Sequence, residues 1–219
     1  RSHAVRSYTD EPLALEAMEV LQKAIARVNE EANLNIQLVL DEPRAFTGFK
    51  ARLVNFANVR NYLALVGPEC KELDGIVGYY GEQLVLLAQS LGLNSCWVGG
   101  TYKVVNRAYN VDLGQKLVAV VALGYGATQG VPHRSKAPQE VAPGYDGAPE
   151  WFKRGVDAAL LAPTALNQQK FSFSLDGEEN DVPVVRASTK RGAFTQMDLG
   201  IAQCHFEIGA GDALYRWAE

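Results

Sequence analysis

Two distant parts of the sequence carry positively charged side chains that could bind an anion such as a phosphate. Arg6 lies near the start of the chain, and Arg134 and Lys136 lie well into its second half. A phosphate dianion needs several charge-assisted donors, which guanidinium and ammonium groups supply. Pro132 and Pro138 flank the second pair and favour a fixed loop. The alternative is that these residues are solvated surface charges.

A hydroxyl and an amide follow in the segment 162–169, which reads Ala-Pro-Thr-Ala-Leu-Asn-Gln-Gln. The amide of Asn167 both donates and accepts hydrogen bonds, and Thr164 has a hydroxyl. Such groups suit the polar edge of a flat ring with alternating donors and acceptors. In the alternative interpretation, Pro163 and Thr164 only end a helix and Asn167 begins a strand.

Gly99 and Gly100 follow a short apolar stretch, 93–98, that predicts a strand. Glycines lack side chains and so allow backbone N–H groups to approach a ligand closely. A plain turn explains the pair equally well. Trp97 beside them either packs in the core or flanks the ligand.

These pieces resemble the FMN-dependent nitroreductase family. In that family an amino-terminal arginine/serine motif grips the FMN phosphate, a helix end and strand end face the flavin ring, a closing strand precedes a second basic pair, and a Pro-Ser-x-x-Asn-x-Gln segment occurs. The matching stretches here are 5–8, 91–100, 123–126 with 132–138, and 163–169, where Thr164 stands in place of the serine.

The order of the pieces resembles the single-chain, duplicated subfamily, in which one polypeptide mimics the usual homodimer. The Pro-Ser-x-x-Asn-x-Gln segment opens the first half of typical family members, whereas here it lies three-quarters along the chain. A weak internal repeat agrees with this. Residues 34–37 recur as 166–169, 132 positions later, and residues 81–88 match 200–207.

The resemblance implies one FMN per chain and no catalytic side chain, because the flavin carries the chemistry. The implied FMN contacts are Ser2, His3, Arg6, Trp97, Val98, Gly99, Gly100, Arg134, Lys136, Pro163, Thr164 and Asn167. The sequence departs from the family at Ser2 and Ala4, where an arginine and a serine are usual. Since the side chain of Ala4 cannot donate, either Ser2, His3 or Arg1 has to compensate or the phosphate is held more loosely.

The implied activity is hydride transfer from NAD(P)H to an oxidised acceptor, such as a nitroaromatic or a quinone, by a ping-pong mechanism. Two alternatives stay open. The chain could be a non-catalytic flavin-binding or sensing protein, or a structural domain that has lost the cofactor.

Several other functions lack support. The formal charge of −4 gives no reason to expect nucleic acid or an anionic membrane as a partner. Three scattered cysteines favour a reducing cytoplasm, and no spacing suggests a metal site. The glycines at 124, 126 and 130 do not have dinucleotide-loop spacing. His205 has no paired serine or acid and is interpreted as a packed helix residue.

The resemblance implies an α+β fold with a nitroreductase-like mixed or antiparallel central sheet flanked by helices, and hydrophobic periodicity places the individual helices and strands. We expect a single domain over 1–219, half-repeats at about 1–130 and 145–219, and a functional monomer. Gly78 and Gly81 predict close packing inside a helix, and Thr9 or Asp10 is the predicted cap of the first helix. The predicted helices are 12–31, 76–91, 150–162 and 194–209, the strands 35–41, 61–66, 93–98, 116–123, 169–175 and 182–185, and 124–147 is a crossing loop.

Overall fold

The computed structural model describes residues 3–218. Within this range the α-helices are α1 Leu15–Ala32, α2 Phe49–Leu53, α3 Leu73–Ser90, α4 Pro138–Val141, α5 Glu150–Ala159 and α6 Thr195–Ala210. The strands are β1 Gln37–Val39, β2 Asn61–Pro68, β3 Asn94–Val98, β4 Gln115–Gly124, β5 Phe171–Glu179, β6 Val182–Thr189 and β7 Arg216–Trp217. Short 3-10 helices cover Pro43–Phe46, Tyr145–Gly147 and Ala165–Asn167.

The strands form two sheets. The first has the order β1-β2-β4-β3, and all its neighbours are antiparallel. The second has the order β5-β6-β7, with an antiparallel hairpin β5–β6 and a parallel pair β6–β7. Antiparallel and mixed sheets accompanied by helices confirm the predicted α+β class.

The chain divides into two compact units. The first unit contains the described residues up to Leu73 together with Tyr80–Pro132, and the second contains Asp74–Tyr79 together with the residues from His133 onwards. Helix α3 therefore supplies residues to both units.

The first unit is built around the two central strands β2 and β4. Leu63, Leu65, Val120 and Val121 on these strands have no exposed surface. Because side chains alternate between the two faces of a strand, both faces of this sheet are covered. The near-continuous apolar runs in the sequence reflect this burial.

Gly81 and Gly92 behave in the first unit as their positions in the sequence predict. A Cβ on Gly81 would lie 2.6 Å from the indole of Trp97, so only glycine allows this approach. Gly92 adopts a φ of 82° just beyond α3, the left-handed conformation that commonly ends a helix.

The second unit packs α5 and α6 beside the small sheet. Its core is aromatic, with Phe173 stacked on Phe206 at a ring-centroid separation of 4.8 Å. A Cβ on Gly78 would collide with the main-chain carbonyl of Met197, and one on Gly200 would collide with that of Gly75. The prediction that Gly78 marks close helix packing is confirmed.

The beginning of α1 differs from the sequence prediction. The helix begins at Leu15, and its cap is Ala14, which makes no side-chain capping bond. Thr9 and Asp10 precede the helix and do not cap it, and the N–H of Thr9 donates to the carbonyl of Tyr125 at 2.8 Å. Ile25 of this helix is buried, whereas Val20 is 40% exposed.

The predicted crossing loop 124–147 is also more ordered than expected, because it contains α4 and a 3-10 helix. The short elements α2 and β7 have no counterpart in the sequence prediction. No helix among residues 3–218 is long and apolar enough to cross a membrane.

Candidate functional site

The amino-terminal arm, residues 3–9, is fixed by backbone hydrogen bonds within the first unit. The N–H of Val5 donates to Ser95 on β3 at 2.9 Å, and the N–H of Tyr8 donates to Ala57 at 3.1 Å. The arm therefore extends the first sheet beyond its β3 edge and then crosses to residue 57.

Tyr8 anchors this arm. Its side chain is buried, and its hydroxyl donates a hydrogen bond to the carbonyl of Val5 at 2.7 Å. The carbonyl of Ala122 is a second acceptor, 3.3 Å from the same hydroxyl. Burial raises the pKa of Tyr8 well above its usual value. Its ring covers Gly124, where a Cβ would lie 2.9 Å from a ring carbon.

Arg6 lies between the buried residues Val5 and Tyr8 and is itself exposed. It hydrogen-bonds with the Cys96 thiol, whose pKa is raised by burial and, more weakly, lowered by Arg6. No carboxylate forms an ion pair with Arg6 among residues 3–218. The predicted contact His3 is half-buried, and Ser2 lies outside the described residues.

The stretch from Trp97 to Gly100 presents mainly backbone. The indole N–H of Trp97 donates to the buried carboxylate of Glu82 at 2.8 Å, and the side chain of Val98 lies in the core. Gly100 is exposed, with no atom within 4 Å of the place where a Cβ would be. A ligand here would therefore meet the chain at the Gly99–Gly100 bend.

In the second unit, the basic loop, residues 133–136, is attached to the end of α5. The Nε2 atom of His133 lies 3.0 Å from the carbonyl oxygen of Leu160, and the hydroxyl of Ser135 donates to the same oxygen at 3.0 Å. Both bonds satisfy a carbonyl that the helix end would otherwise leave open. The intervening Arg134 is exposed.

The Pro163–Gln169 segment has an unusual backbone. Leu166, Asn167 and Gln169 have φ values of 53°, 52° and 43°, in the left-handed region that non-glycine residues rarely adopt. The hydroxyl of Thr164 accepts a hydrogen bond from the N–H of Gln169 at 3.1 Å. Pro163 is half-buried at its start.

Asp198, in the first turn of α6, forms hydrogen bonds with the Pro163–Gln169 segment. Its carboxylate accepts from the N–H of Ala165 at 2.9 Å and from Nε2 of Gln168 at 2.7 Å. Burial raises the pKa of Asp198, against the lowering effect of these two bonds.

The second unit thus brings together four of the predicted contacts. The Nδ2 atom of Asn167 donates to the carbonyl of Arg134 at 2.9 Å, and Nζ of Lys136 donates to the carbonyl of Gln169 at 2.7 Å. Thr164 joins them through its bond to Gln169. Neither Arg134 nor Lys136 forms an ion pair with a carboxylate in the described part of the chain.

The sequence did not single out Gln169 or Asp198 as site residues. Gln169 was visible only as the last member of the Pro163–Gln169 motif. Asp198 is an acidic residue that lies between the apolar residues Met197 and Leu199, at a buried position of α6. That pattern is a usable signal, because carboxylates are almost never buried without partners.

Comparison with known proteins identifies the class. A family model described as "Putative TM nitroreductase" matches residues 1–210. Because the match covers nearly the whole chain, this protein belongs to that nitroreductase family. No curated protein sequence matches the chain.

Several solved structures are similar to this chain. A structure described as a putative nitroreductase from Thermotoga maritima has a TM-score of 0.65 and 19% identity, and the match covers 95% of this chain and 79% of that one. A putative NADH dehydrogenase/NAD(P)H nitroreductase from Parabacteroides distasonis has a TM-score of 0.50 and 18% identity, covering 63% and 90%. A putative nitroreductase from Desulfovibrio desulfuricans, in complex with FMN, has a TM-score of 0.48 and 18% identity, covering 63% and 89%.

Proposed function

We propose that this protein is an FMN-dependent oxidoreductase that passes hydride from NAD(P)H to an oxidised acceptor such as a nitroaromatic or a quinone. The observation that carries the proposal is the group of donors in the second unit. Arg134 and Lys136 lie on a fixed loop without carboxylate partners in the described residues, beside Thr164 and Asn167. Membership of the nitroreductase family supports a flavin as the ligand.

The donor set fits FMN chemically. A guanidinium presents up to five N–H donors, and an ammonium presents three. One N–H of Lys136 is used on the carbonyl of Gln169, which leaves two for a phosphate. Two cations without carboxylate partners suit a dianion better than a neutral ligand.

Each group of residues has a distinct task in this proposal. Arg134 and Lys136 hold the phosphate, while Thr164, Asn167 and the backbone beside Pro163 orient the polar edge of the ring. Ser2, His3, Arg6 and the stretch from Trp97 through Val98 and Gly99 to Gly100 stay predicted contacts on the strength of the resemblance. FMN, when bound, accepts hydride and delivers reducing equivalents to the acceptor.

The order of events in this proposal is ping-pong. The nicotinamide donor leaves before the acceptor enters, so both use one exposed face of the bound cofactor. No acid or base of the chain is required to carry the hydride step. We therefore expect loss of FMN to abolish turnover more completely than loss of any single side chain.

We further propose that the chain is the single-chain, duplicated form of the family, with half-repeats at about 1–130 and 145–219 in one domain. The order of elements supports this. A helix, two antiparallel neighbouring strands and a long helix occur in sequence as α1, β1, β2 and α3, and again as α5, β5, β6 and α6. Duplication leads us to expect a functional monomer, so sedimentation that shows an obligate dimer would refute it.

A cytoplasmic location completes the proposal. Cys70, Cys96 and Cys204 form no disulfide with one another, and cysteines without disulfides are typical of reducing compartments.

The decisive experiment removes both charges of the basic loop. We expect the Arg134→Ala, Lys136→Ala double variant to bind FMN at least about 100-fold more weakly, because each charged hydrogen bond contributes about 1.5–3 kcal/mol. The matched control is Lys50→Ala, Arg52→Ala, which removes two exposed positive charges from α2. Fluorescence titration with FMN measures both.

Titration with riboflavin separates the outcomes. The double variant should bind riboflavin about as well as the wild-type chain does, because riboflavin has no phosphate. Equal FMN affinity in the wild-type chain and the double variant would refute the placement of the phosphate. FMN binding without NAD(P)H oxidation by any acceptor would favour the alternative, a flavin-binding or sensing protein.

A further inference from the structure

Gln169 occupies the centre of the donor group. The residue is buried, with only 2% of its surface exposed. Its Oε1 atom accepts from the N–H of Lys136 at 2.9 Å, and its Nε2 atom donates to the carbonyl of Arg134 at 2.9 Å and to Oδ1 of Asn167 at 2.8 Å. Both amide hydrogens are used, so the side chain has no donor left for a ligand.

The backbone of Gln169 completes the arrangement. Its N–H donates to the hydroxyl of Thr164, and its carbonyl accepts from Nζ of Lys136. One residue thus contacts all four polar candidates of the second unit. These bonds tie together two segments that are separated by more than thirty positions in the sequence.

The bonds also explain how an unfavourable backbone persists. Left-handed conformations at Leu166, Asn167 and Gln169 cost of the order of 1 kcal/mol each, and they persist only where surrounding contacts determine them. The side chain of Leu166 is fully exposed, so burial of this apolar group does not hold the segment. Hydrogen bonds therefore have to hold it, and Gln169 takes part in more of them than any other residue of the segment.

We propose that Gln169 is a positioning residue that sets the basic loop for phosphate before any ligand binds. The proposal rests on the proposed function, because it concerns the phosphate end of the same site. Gln169 fixes the backbone of Arg134 and Lys136 from both sides, and its carbonyl oxygen directs the Lys136 ammonium. The loop then binds a phosphate without having to be ordered first, which lowers the cost of binding.

Two substitutions of Gln169 remove different numbers of its side-chain hydrogen bonds. In Gln169→Glu, the carboxylate has the same shape and still accepts from Lys136, but it cannot donate to Arg134 or Asn167. In Gln169→Leu, all three side-chain bonds are lost. The effect should therefore increase from Glu to Leu although the size of the side chain hardly changes.

The first test uses the chain without any ligand. Trypsin cleaves after Arg134 and after Lys136 only when the loop can leave its place. We expect both variants to be cut at these two positions at least about tenfold faster than the wild-type chain. Cleavage after Arg107, an exposed arginine of the first unit, is the internal control and should keep its rate.

The second test measures the ratio of FMN to riboflavin affinity. Loss of a positioning residue should lower this ratio about tenfold or more in the neutral variants Gln169→Leu and Gln169→Met, whereas a general loss of stability would weaken both ligands alike. If Gln169→Leu does not fold, Gln169→Met decides the outcome, because it adds no charge that could itself repel the phosphate.

The outcomes distinguish the two proposals. Suppose that the wild-type chain binds FMN more tightly than riboflavin. Unchanged cleavage after Arg134 and Lys136, or an unchanged ratio of FMN to riboflavin affinity in the variants, then refutes the role of Gln169 and leaves the proposed function standing. A wild-type chain that binds FMN no better than riboflavin refutes the phosphate site itself, and the positioning role fails with it.

Discussion

The amino-terminal arm and the basic loop both carry predicted phosphate-binding residues, yet they are fixed in different ways. The arm is fixed by backbone bonds and by the buried ring of Tyr8. The basic loop is fixed mainly by side chains, those of Gln169, Asn167 and Ser135. Backbone pairing tolerates most substitutions because every residue except proline carries the same N–H and carbonyl. Side-chain bonds depend on the identity of single residues, so the loop is the easier region to alter.

The largest effect is expected from Tyr8→Ala, which removes a buried aromatic ring that anchors the arm. Deleting a buried aromatic ring costs about 3–5 kcal/mol, and urea unfolding measures this loss. Tyr8→Phe keeps the ring and should cost about 1–2 kcal/mol through the lost bond to Val5. Equal losses in the two variants would mean that packing over Gly124 contributes nothing to the arm.

A second substitution, at Gly130, would introduce a steric clash with the amino-terminal arm. Gly130 has a φ of 68°, and a Cβ there would lie 2.8 Å from Cβ of His3 and 3.1 Å from the carbonyl oxygen of Ala4. We expect Gly130→Ala to cost about 1–3 kcal/mol in unfolding experiments. Gly144→Ala is the matched control, because Gly144 has a φ of 82° but open space around it. A loss no greater than that of the control would show that the arm yields freely.

Asp198 tests how the second region depends on pH. Because burial raises the pKa of Asp198, the folded chain binds a proton there more readily than the unfolded chain does. The stability that this group contributes is fully present below its unfolded pKa of about 3.9 and is lost as the pH rises through the folded pKa. We expect the stability of the wild-type chain relative to Asp198→Asn to fall as the pH rises above about 4. A difference that stays constant or rises over this range in urea titrations would contradict the assignment.

The smallest effect on stability is expected at Arg6. Its side chain is exposed and has no carboxylate partner among residues 3–218, so Arg6→Ala should change the free energy of unfolding by less than about 0.5 kcal/mol. FMN affinity should nevertheless fall about tenfold or more if this arginine contacts the phosphate. Unchanged affinity would leave the arm as a structural extension of the first sheet.

The sequence predicted the long periodic elements well. Strands β2 and β4 and helices α3 and α6 lie close to their expected bounds, because burial gives them apolar runs or stripes that a local pattern displays. The predicted start of α1 was wrong because the hydrogen-bond partner of Thr9 is Tyr125, which is remote in the sequence. Helix α2 and strand β7 are too short to show a period.

The candidate site was predicted by residue type and not by connection. Arg134, Lys136, Thr164 and Asn167 do share one region of the second unit, as expected. The role of Gln169 could not be predicted, because the sequence gives only the residue type. It does not distinguish an amide that is buried with three hydrogen-bond partners from an amide in solvent. Only the left-handed backbone and the hydrogen bonds distinguish them.

The division of α3 between the two units has a consequence for truncation. The turns that contain Gly75, Gly78 and Tyr79 belong to the second unit, where Gly78 contacts Met197 and the hydroxyl of Tyr79 donates to Glu207. A fragment that starts at His133 would lack these turns and would leave the matching face of α6 uncovered. We therefore expect such a fragment to aggregate when expressed alone, and to become soluble when a peptide that spans α3 is added.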